Sequence, residues 1–279
     1  MTASTAILTK TVVSFHAHPD DESLLTGGTL AKAAAAGHRV VLVTATSGAA
    51  GLASSQLRAD GELGRRRIGE LEVAAAAIGA ASVDLLGYDD SGMDGRAPGD
   101  TFARADVESA AERLATILRR ERADVLTIYD ANGGYGHPDH IKVHHVGVRA
   151  AELARTPVVL EATIDRDVLR RAVRAMRVAR LGGRLPLPVL EQSYTPRTEL
   201  THRIDVRRHL RAKRAALLAH TSQASADDMD RTIAFFLRMP PPLFRLALGS
   251  EWFVQRHAVR QWPLANDIFT ALEEAPAST

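Results

Sequence analysis

Over residues 1–165 short β-branched runs alternate with longer helical patterns, and few folds accommodate that alternation. Strand patterns fall at Thr11–Ala17, Arg39–Ala45, Val83–Leu86, Asp124–Tyr129 and Pro157–Thr163. Helical patterns fall at Glu22–Ala36, Glu62–Ile78, Phe102–Arg119 and Ile141–Leu153. Strand–helix–strand units of this size pair their strands in parallel through right-handed crossovers, with helices on both faces. The reading is an α/β, Rossmann-like, doubly wound and mainly parallel sheet. From Asp165 onward the pattern turns helical: an Arg-rich helix to Leu181, a linker LGGRLPLP, helical runs at Val206–His220 and Ala226–Arg238, a proline break, and a strand-like EWFVQ. The expectation is one domain over 1–279, with a core at 1–165 and a helical C-terminal elaboration at 166–279. There are no heptads and no internal repeat.

The chain has 279 residues, 46% of them hydrophobic, which is enough for a sizeable core. Its formal charge of +2 is nearly balanced, so the sequence pI of about 9.1 reflects a small Lys+Arg excess and not a basic domain. No nucleic-acid partner is expected, because recognition of that kind needs clustered charge. With no cysteine, disulfides and thiolate ligands are excluded, and any metal must be held by nitrogen and oxygen. The N-terminus lacks a signal-peptide pattern, and no apolar run reaches the roughly 18 residues of a membrane span. A cytoplasmic location is expected.

Ligands in doubly wound sheets bind beyond the C-terminal strand ends. The first strand ends in His16-Ala17-His18-Pro19-Asp20-Asp21-Glu22, and the fourth in a loop closing with Tyr135-Gly136-His137-Pro138-Asp139-His140. A catalytic zinc site takes three protein ligands and leaves one position for water. His18 and Asp21, three apart at a strand-to-helix turn, can converge on one point, and a histidine of the second loop completes a His2Asp set. That leaves Asp20 as a carboxylate able to take a proton from water, and His137 as a spare imidazole. Taken singly, Asp20, Asp21 and Asp139 would read as helix N-caps. Two such clusters on neighbouring strand ends favour a metal site.

AHPDDES before a Gly-Gly helix, followed by GHPDH, resembles the PIG-L (LmbE-like) family of zinc deacetylases. The likeness extends through RRRIGELEVAAAAIGA, LGYDDSGM, KRAALLAHTSQ and EWF, and is greatest to the mycothiol-pathway deacetylase and amidase. The resemblance implies one Zn²⁺ per chain on His18, Asp21 and His140. It implies Asp20 as general base, His137 as the imidazole at the carbonyl or leaving group, Asp139 as the carboxylate orienting His137, and Tyr135 as support for the oxyanion. Arg67 and Asp90 match residues that hold sugar and polyol hydroxyls. The implied substrate is a small amino sugar or glycoconjugate bearing an N-acetyl group. An N2O set also takes Fe²⁺, Co²⁺ or Ni²⁺. The family's Thr-x-Gly-Glu appears here as Thr46-Ser47-Gly48-Ala49. The missing glutamate leaves the metal ligands untouched and bears on substrate choice.

A nucleotide-binding oxidoreductase is excluded at the first loop, where Asp20, Asp21 and Glu22 replace the glycines a pyrophosphate needs. A non-catalytic sugar- or metal-binding module would not need both Asp20 and His137. An amidase for a mycothiol-like conjugate or an antibiotic intermediate shares the motifs and stays open. Among weaker signals, His144 reads as a core or supporting residue, His16 as sheet interior, and the Arg-rich helix as a solvated face with an anionic surface or ligand as the sharper alternative. Phe235–Phe244 reads as core packing or a homo-oligomer contact, and His220 and Glu251 as support near the pocket or structural packing.

Overall fold

A computed structural model describes residues 8–50, 62–97, 99–178, 193–224 and 232–274. Five strands, β1 (Thr11–His16), β2 (Arg39–Thr46), β3 (Ser82–Tyr88), β4 (Val125–Tyr129) and β5 (Val158–Thr163), run parallel. Two more, β6 (His202–Asp205) and β7 (Ser250–Gln255), extend the sheet antiparallel at the β5 edge. The order across the sheet is β3-β2-β1-β4-β5-β7-β6. β1 lies directly beside β4, with Val12 opposite Val125 and Ser14 opposite Thr127.

Both faces of the central strands are apolar, as expected for a parallel sheet covered on two sides. Successive residues point to opposite faces. Val13, Phe15, Val41 and Val43 meet Leu114 and Leu118 of α3 (Val107–Glu121) and Val143 and Val146 of α4 (Pro138–Ala154). Val12, Val40, Leu42 and Val125 meet Leu30 of α1 (Gly27–Ala35), Leu71 of α2 (Leu63–Ile78) and Ala216 of α6 (Leu210–Ala219). The stretch expected as one helix from Glu22 begins as a π-helical turn, Glu22–Thr26, before α1. The helix expected from Phe102 is a 3-10 turn, Phe102–Arg104, broken before α3, whose N-cap Asp106 accepts the Ser109 N–H. Helix α4 starts at Pro138, a turn earlier than its periodicity suggested, because proline fits a first helical position.

The C-terminal part is less purely helical than its sequence reads. Between α5 (Arg166–Val178) and α6, β6 forms a short edge strand that the sequence did not announce. Only alternate residues of His-Arg-Ile-Asp, His202 and Ile204, are buried, and Ile204 alone is apolar. After α7 (Thr221–Ala224) come α8 (Thr232–Arg238) and α9 (Pro241–Leu248), with α10 (Thr270–Glu274) last. The LGGRLPLP stretch, Leu181, and the start of the helix expected from Ala226 lie outside the described residues. In the Phe235–Phe244 stretch, Phe244 packs with Leu217, Ile233 and Leu248, so its inner face is core. On α5, Val173 is buried while Arg171 and Arg174 are exposed, a solvated face over an apolar one. Among the described residues no helix is long and apolar enough to cross a membrane.

A buried ion pair fastens this elaboration to the core. Glu251 on β7 accepts the backbone N–H groups of Gly28 and Thr29 at the start of α1, each at 2.8 Å, and the Lys213 ammonium at 2.5 Å. The two side chains are only 1% and 2% exposed. Position 28 must be glycine for this contact, since a Cβ there would stand 2.6 Å from Val206 Cβ and 2.9 Å from Glu251 Oε1. The match of Glu251 to a family position is thus structural: it satisfies helix N–H groups otherwise lacking partners. Removing one member of a buried pair strands the other charge. Glu251→Ala should therefore lower unfolding free energy by about 3–5 kcal/mol in urea denaturation. A loss below about 1 kcal/mol, the worth of an exposed pair, would contradict this account.

Candidate active site

Between β1 and β4 the strand order reverses, with β2 on one side and β5 on the other. Loops leaving the two C-terminal ends diverge there and open a crevice, the usual ligand position in such sheets. One ligand atom each from His18, Asp21 and His140 lie within 4.8 Å of one another. The Asp21 carboxylate is 3.4 Å from His18 Nδ1 and 3.4 Å from His140 Nε2.

The donor set fits a divalent cation on three counts. His140 Nε2 is buried and has no hydrogen-bond partner. Its ring is fixed by stacking on Tyr129, centroids 4.2 Å apart and planes 10° from parallel. His18 Nε2 donates to Asp139 Oδ2 at 3.1 Å, which leaves Nδ1 to face Asp21 and His140. A carboxylate behind a ligand imidazole fixes its tautomer and raises its basicity. Thirdly, the surroundings select positive charge: burial works to lower the His18 pKa, yet Asp139, Asp21 and Asp90 hold it well above its usual value. Burial likewise works to raise Asp21, and His140 and His18 outweigh it, keeping the carboxyl well below the usual range. Neither Asp21 nor Asp139 is an N-cap by side chain. The Asp21 carboxylate accepts the His18 N–H, and the cap of α4 is His137.

That cap corrects one expected role. His137 Nδ1 accepts the backbone N–H of Asp139 at 3.1 Å. Its proton therefore sits on Nε2, and the backbone, not the Asp139 carboxylate, orients the ring. The Asp139 carboxylate turns instead to His18 and to Ser91, which gives it both its N–H and its hydroxyl. Burial, with the charges of His18 and His140, lowers the His137 pKa to about 4. Ser91, fully buried inside LGYDDSGM, escaped the sequence reading because a serine there looks like turn chemistry.

Asp20 sits beside Asp21 with its backbone at φ 120°, a region that disfavours any side chain. Its carboxylate is 3.4 Å from Arg67 Nη2. Burial pushes its pKa up to about 6, against Arg67 and with the help of Asp21. Arg67 is only 3% exposed and donates to the carbonyls of Gly48 and Pro19. Asp90 is also buried, accepts N–H groups from Ala50 and Gly92, and stands 3.4 Å from His18 Nε2. Burial works to raise its pKa, while His18, the Gly92 N–H and Arg67 bring it to about 2. Both residues expected to hold substrate hydroxyls are thus engaged with protein groups, on Asp20 and His18 respectively.

Tyr135 is 44% exposed, its ring 5.1 Å from that of His140 and 6.2 Å from that of His137. It overhangs the cluster from a loop in which Gly133, Gly134 and Gly136 all take positive φ. At Gly133 a Cβ would come within 2.7 Å of the Ile141 nitrogen, so no side chain is admitted. Asp130 ties this loop down by accepting N–H groups from Asn132 and Gly134 and hydroxyls from Thr163 and Thr195. His144 is turned away to the Tyr129 carbonyl at 3.1 Å, and His16 lies in the sheet interior against Ser14 and Thr26. Neither belongs to the cluster.

Fold and site together define a metal-dependent amide hydrolase. The GlcNAc-PI de-N-acetylase (PIG-L) family matches residues 13–151. A 1D-myo-inositol 2-acetamido-2-deoxy-alpha-D-glucopyranoside deacetylase of Thermobispora bispora is 44% identical over 268 residues, covering 87% of this chain and 86% of its own. A protein of the same description from Thermomonospora curvata is 42% identical, with coverage of 76% and 80%. Among solved structures, the N,N'-diacetylchitobiose deacetylase of Pyrococcus horikoshii superposes with a TM-score of 0.61 at 19% identity, covering 91% of this chain and 88% of that one, and shares the fold. The chain belongs to the PIG-L family of de-N-acetylases. It is an N-deacetylase, a hydrolase of amide C–N bonds.

The placement of Asp139 behind His18 carries a measurable consequence. Asp139→Ala should weaken metal affinity about 10–100-fold, the usual worth of a carboxylate behind a ligand histidine. Competition against a chromophoric chelator reads this directly. Unchanged affinity with altered turnover would restore Asp139 to the His137 role.

Proposed function

We propose that the protein releases acetate from a 2-acetamido-2-deoxyglucopyranosyl unit joined to a polyol such as inositol, with zinc as its metal. The observation that carries this reading is the pair Asp20–Asp21: one carboxylate turned to two imidazoles, the adjacent one left to accept a proton. The curated relatives' substrate supports the sugar, and the His2Asp donor set supports zinc.

His18, Asp21 and His140 would hold the metal, which when bound polarises an acyl oxygen and makes water more acidic. Asp20 accepts one proton from the water whose oxygen attacks the acetyl carbon. Tyr135, projecting over the cluster, donates its hydroxyl to the carbonyl oxygen as that oxygen gains charge. His137 presents an N–H at Nε2 because its Nδ1 is occupied by the helix backbone, and it hydrogen-bonds on the side of the departing nitrogen. As the C–N bond breaks, the nitrogen takes the proton held by Asp20, with the His137 N–H hydrogen-bonded beside it, leaving the free amine and acetate. Arg67 and Asp90 border this chemistry as partners of Asp20 and His18. The loop Thr46-Ser47-Gly48-Ala49 brings no carboxylate to the substrate, so polyol recognition rests on other groups.

Two neighbouring carboxylates with different roles give a sharp test. Asp21→Ala should lose metal, measured by mass spectrometry, and regain part of its activity in excess zinc. Asp20→Asn should keep the metal and lose about 10²–10⁴ in kcat, without rescue. Metal loss from Asp20→Asn with retention in Asp21→Ala would exchange the roles. In a panel of N-acyl substrates, acetate should be released faster from the glucosaminyl inositol than from free N-acetylglucosamine, since remote binding energy serves the reacting centre. Turnover of a mycothiol-type conjugate amide alone would select the amidase reading instead.

A further inference from the structure

Behind the loop that bears Asp20 lies a buried chain of polar contacts from the C-terminal part. The Glu22 carboxylate is wholly inaccessible to solvent. Its Oε2 accepts the backbone N–H of Asp20 at 2.8 Å. Its Oε1 accepts His220 Nε2 at 2.7 Å and the Ser23 hydroxyl at 2.5 Å. His220 is likewise fully buried and sits at the end of α6. The residues that follow it are gripped by Glu70 on α2, which accepts the Thr221 hydroxyl and both the N–H and hydroxyl of Ser222. The contacts therefore run from α2 through residues 220–222 to Glu22 and on to the Asp20 backbone.

That backbone needs holding. At φ 120° a non-glycine residue is unfavourable and persists only where its surroundings over-determine it. The bond to Glu22 fixes the peptide nitrogen of Asp20 while Arg67, 3.4 Å away, faces the carboxylate. Glu22 itself is buried and would be costly there without a partner, which His220 provides. The geometry points to His220, acting through Glu22, as a positioning residue for the catalytic carboxylate of Asp20. His220 is wholly buried and its hydrogen bond is to Glu22, which in turn holds the Asp20 N–H, so its contribution is the aim of Asp20. This inference rests on Asp20 as the proton acceptor.

Asparagine and glutamine at position 220 separate the possibilities, because the longer amide reaches Glu22 as Nε2 does and the shorter one does not. His220→Asn should keep wild-type metal content and KM while kcat falls by about 10–100-fold, the scale of a misaimed catalytic group. His220→Gln should recover most of that loss. In an Asp20→Asn background His220→Asn should cost nothing further, since the group it aims is already disabled. Loss of metal, an unchanged kcat, or an equal additional loss in the Asp20→Asn background would each overturn the positioning role and leave the base intact. Full activity in Asp20→Asn alone would remove the base, and the positioning role with it. If His220→Asn does not accumulate as folded protein, Glu22→Gln, which keeps the side-chain shape and removes the buried charge, runs the same cycle. A kcat loss that vanishes in the Asp20→Asn background supports the proposal there, and an additive one overturns it.

Discussion

Parallel pairing of β1 with β4 is the constraint on which the site depends. Each strand alone ends in a loop with imidazoles and carboxylates, and neither loop holds a complete donor set. The register that sets Ser14 against Thr127 brings both ends to one edge, and the reversal of strand order there keeps crossing helices out of the space between them. Val12, Val13, Val125 and Leu126, all fully buried, hold the two strands side by side in the middle of the sheet, between helices packed on both faces. Hydrophobic burial in the sheet thus sets the distance between His18 and His140.

Around the cluster, the residues behind the His and Asp side chains are as specifically placed as the cluster itself. Asp139 and Ser91 stand behind His18, Tyr129 lies flat against His140, Arg67 faces Asp20, and Glu22 holds its backbone. Most are buried polar groups, and each has found partners, as burial requires. The strained φ of Asp20 belongs to the same economy: stability given up at one residue is recovered in the bonds that enforce it.

Much of this was legible in the sequence. AHPDDE and GHPDH concentrate metal-binding side chains at strand ends, and the alternation of strands and helices placed those ends together. What the sequence could not convey was direction. Asp139 next to His137 invites the inference that one orients the other, but a histidine preceding proline at a helix start caps the helix with its own ring nitrogen, and the carboxylate swings to a histidine far away in the chain. Arg67 and Asp90 carry no local signal of the groups they face, since Arg67 lies beside Asp20 and Asp90 beside His18 only through tertiary contacts. Strand β6 was missed for a plainer reason: four residues with one strongly apolar side chain carry too little pattern.

The bond between Gly28 and Glu251 spans 223 positions, and that between Glu22 and His220 spans 198. The loop after β1 is therefore finished by elements that leave the ribosome long after it. Closing contacts of such separation demands a large ordering of the intervening chain before any of them forms, and topologies built this way fold slowly. During synthesis the core sheet and both metal-binding loops emerge well before their clasp. The Asp20 backbone meets its full set of partners only when those later elements arrive, so a partly made chain carries both His- and Asp-bearing loops before the contacts that hold them.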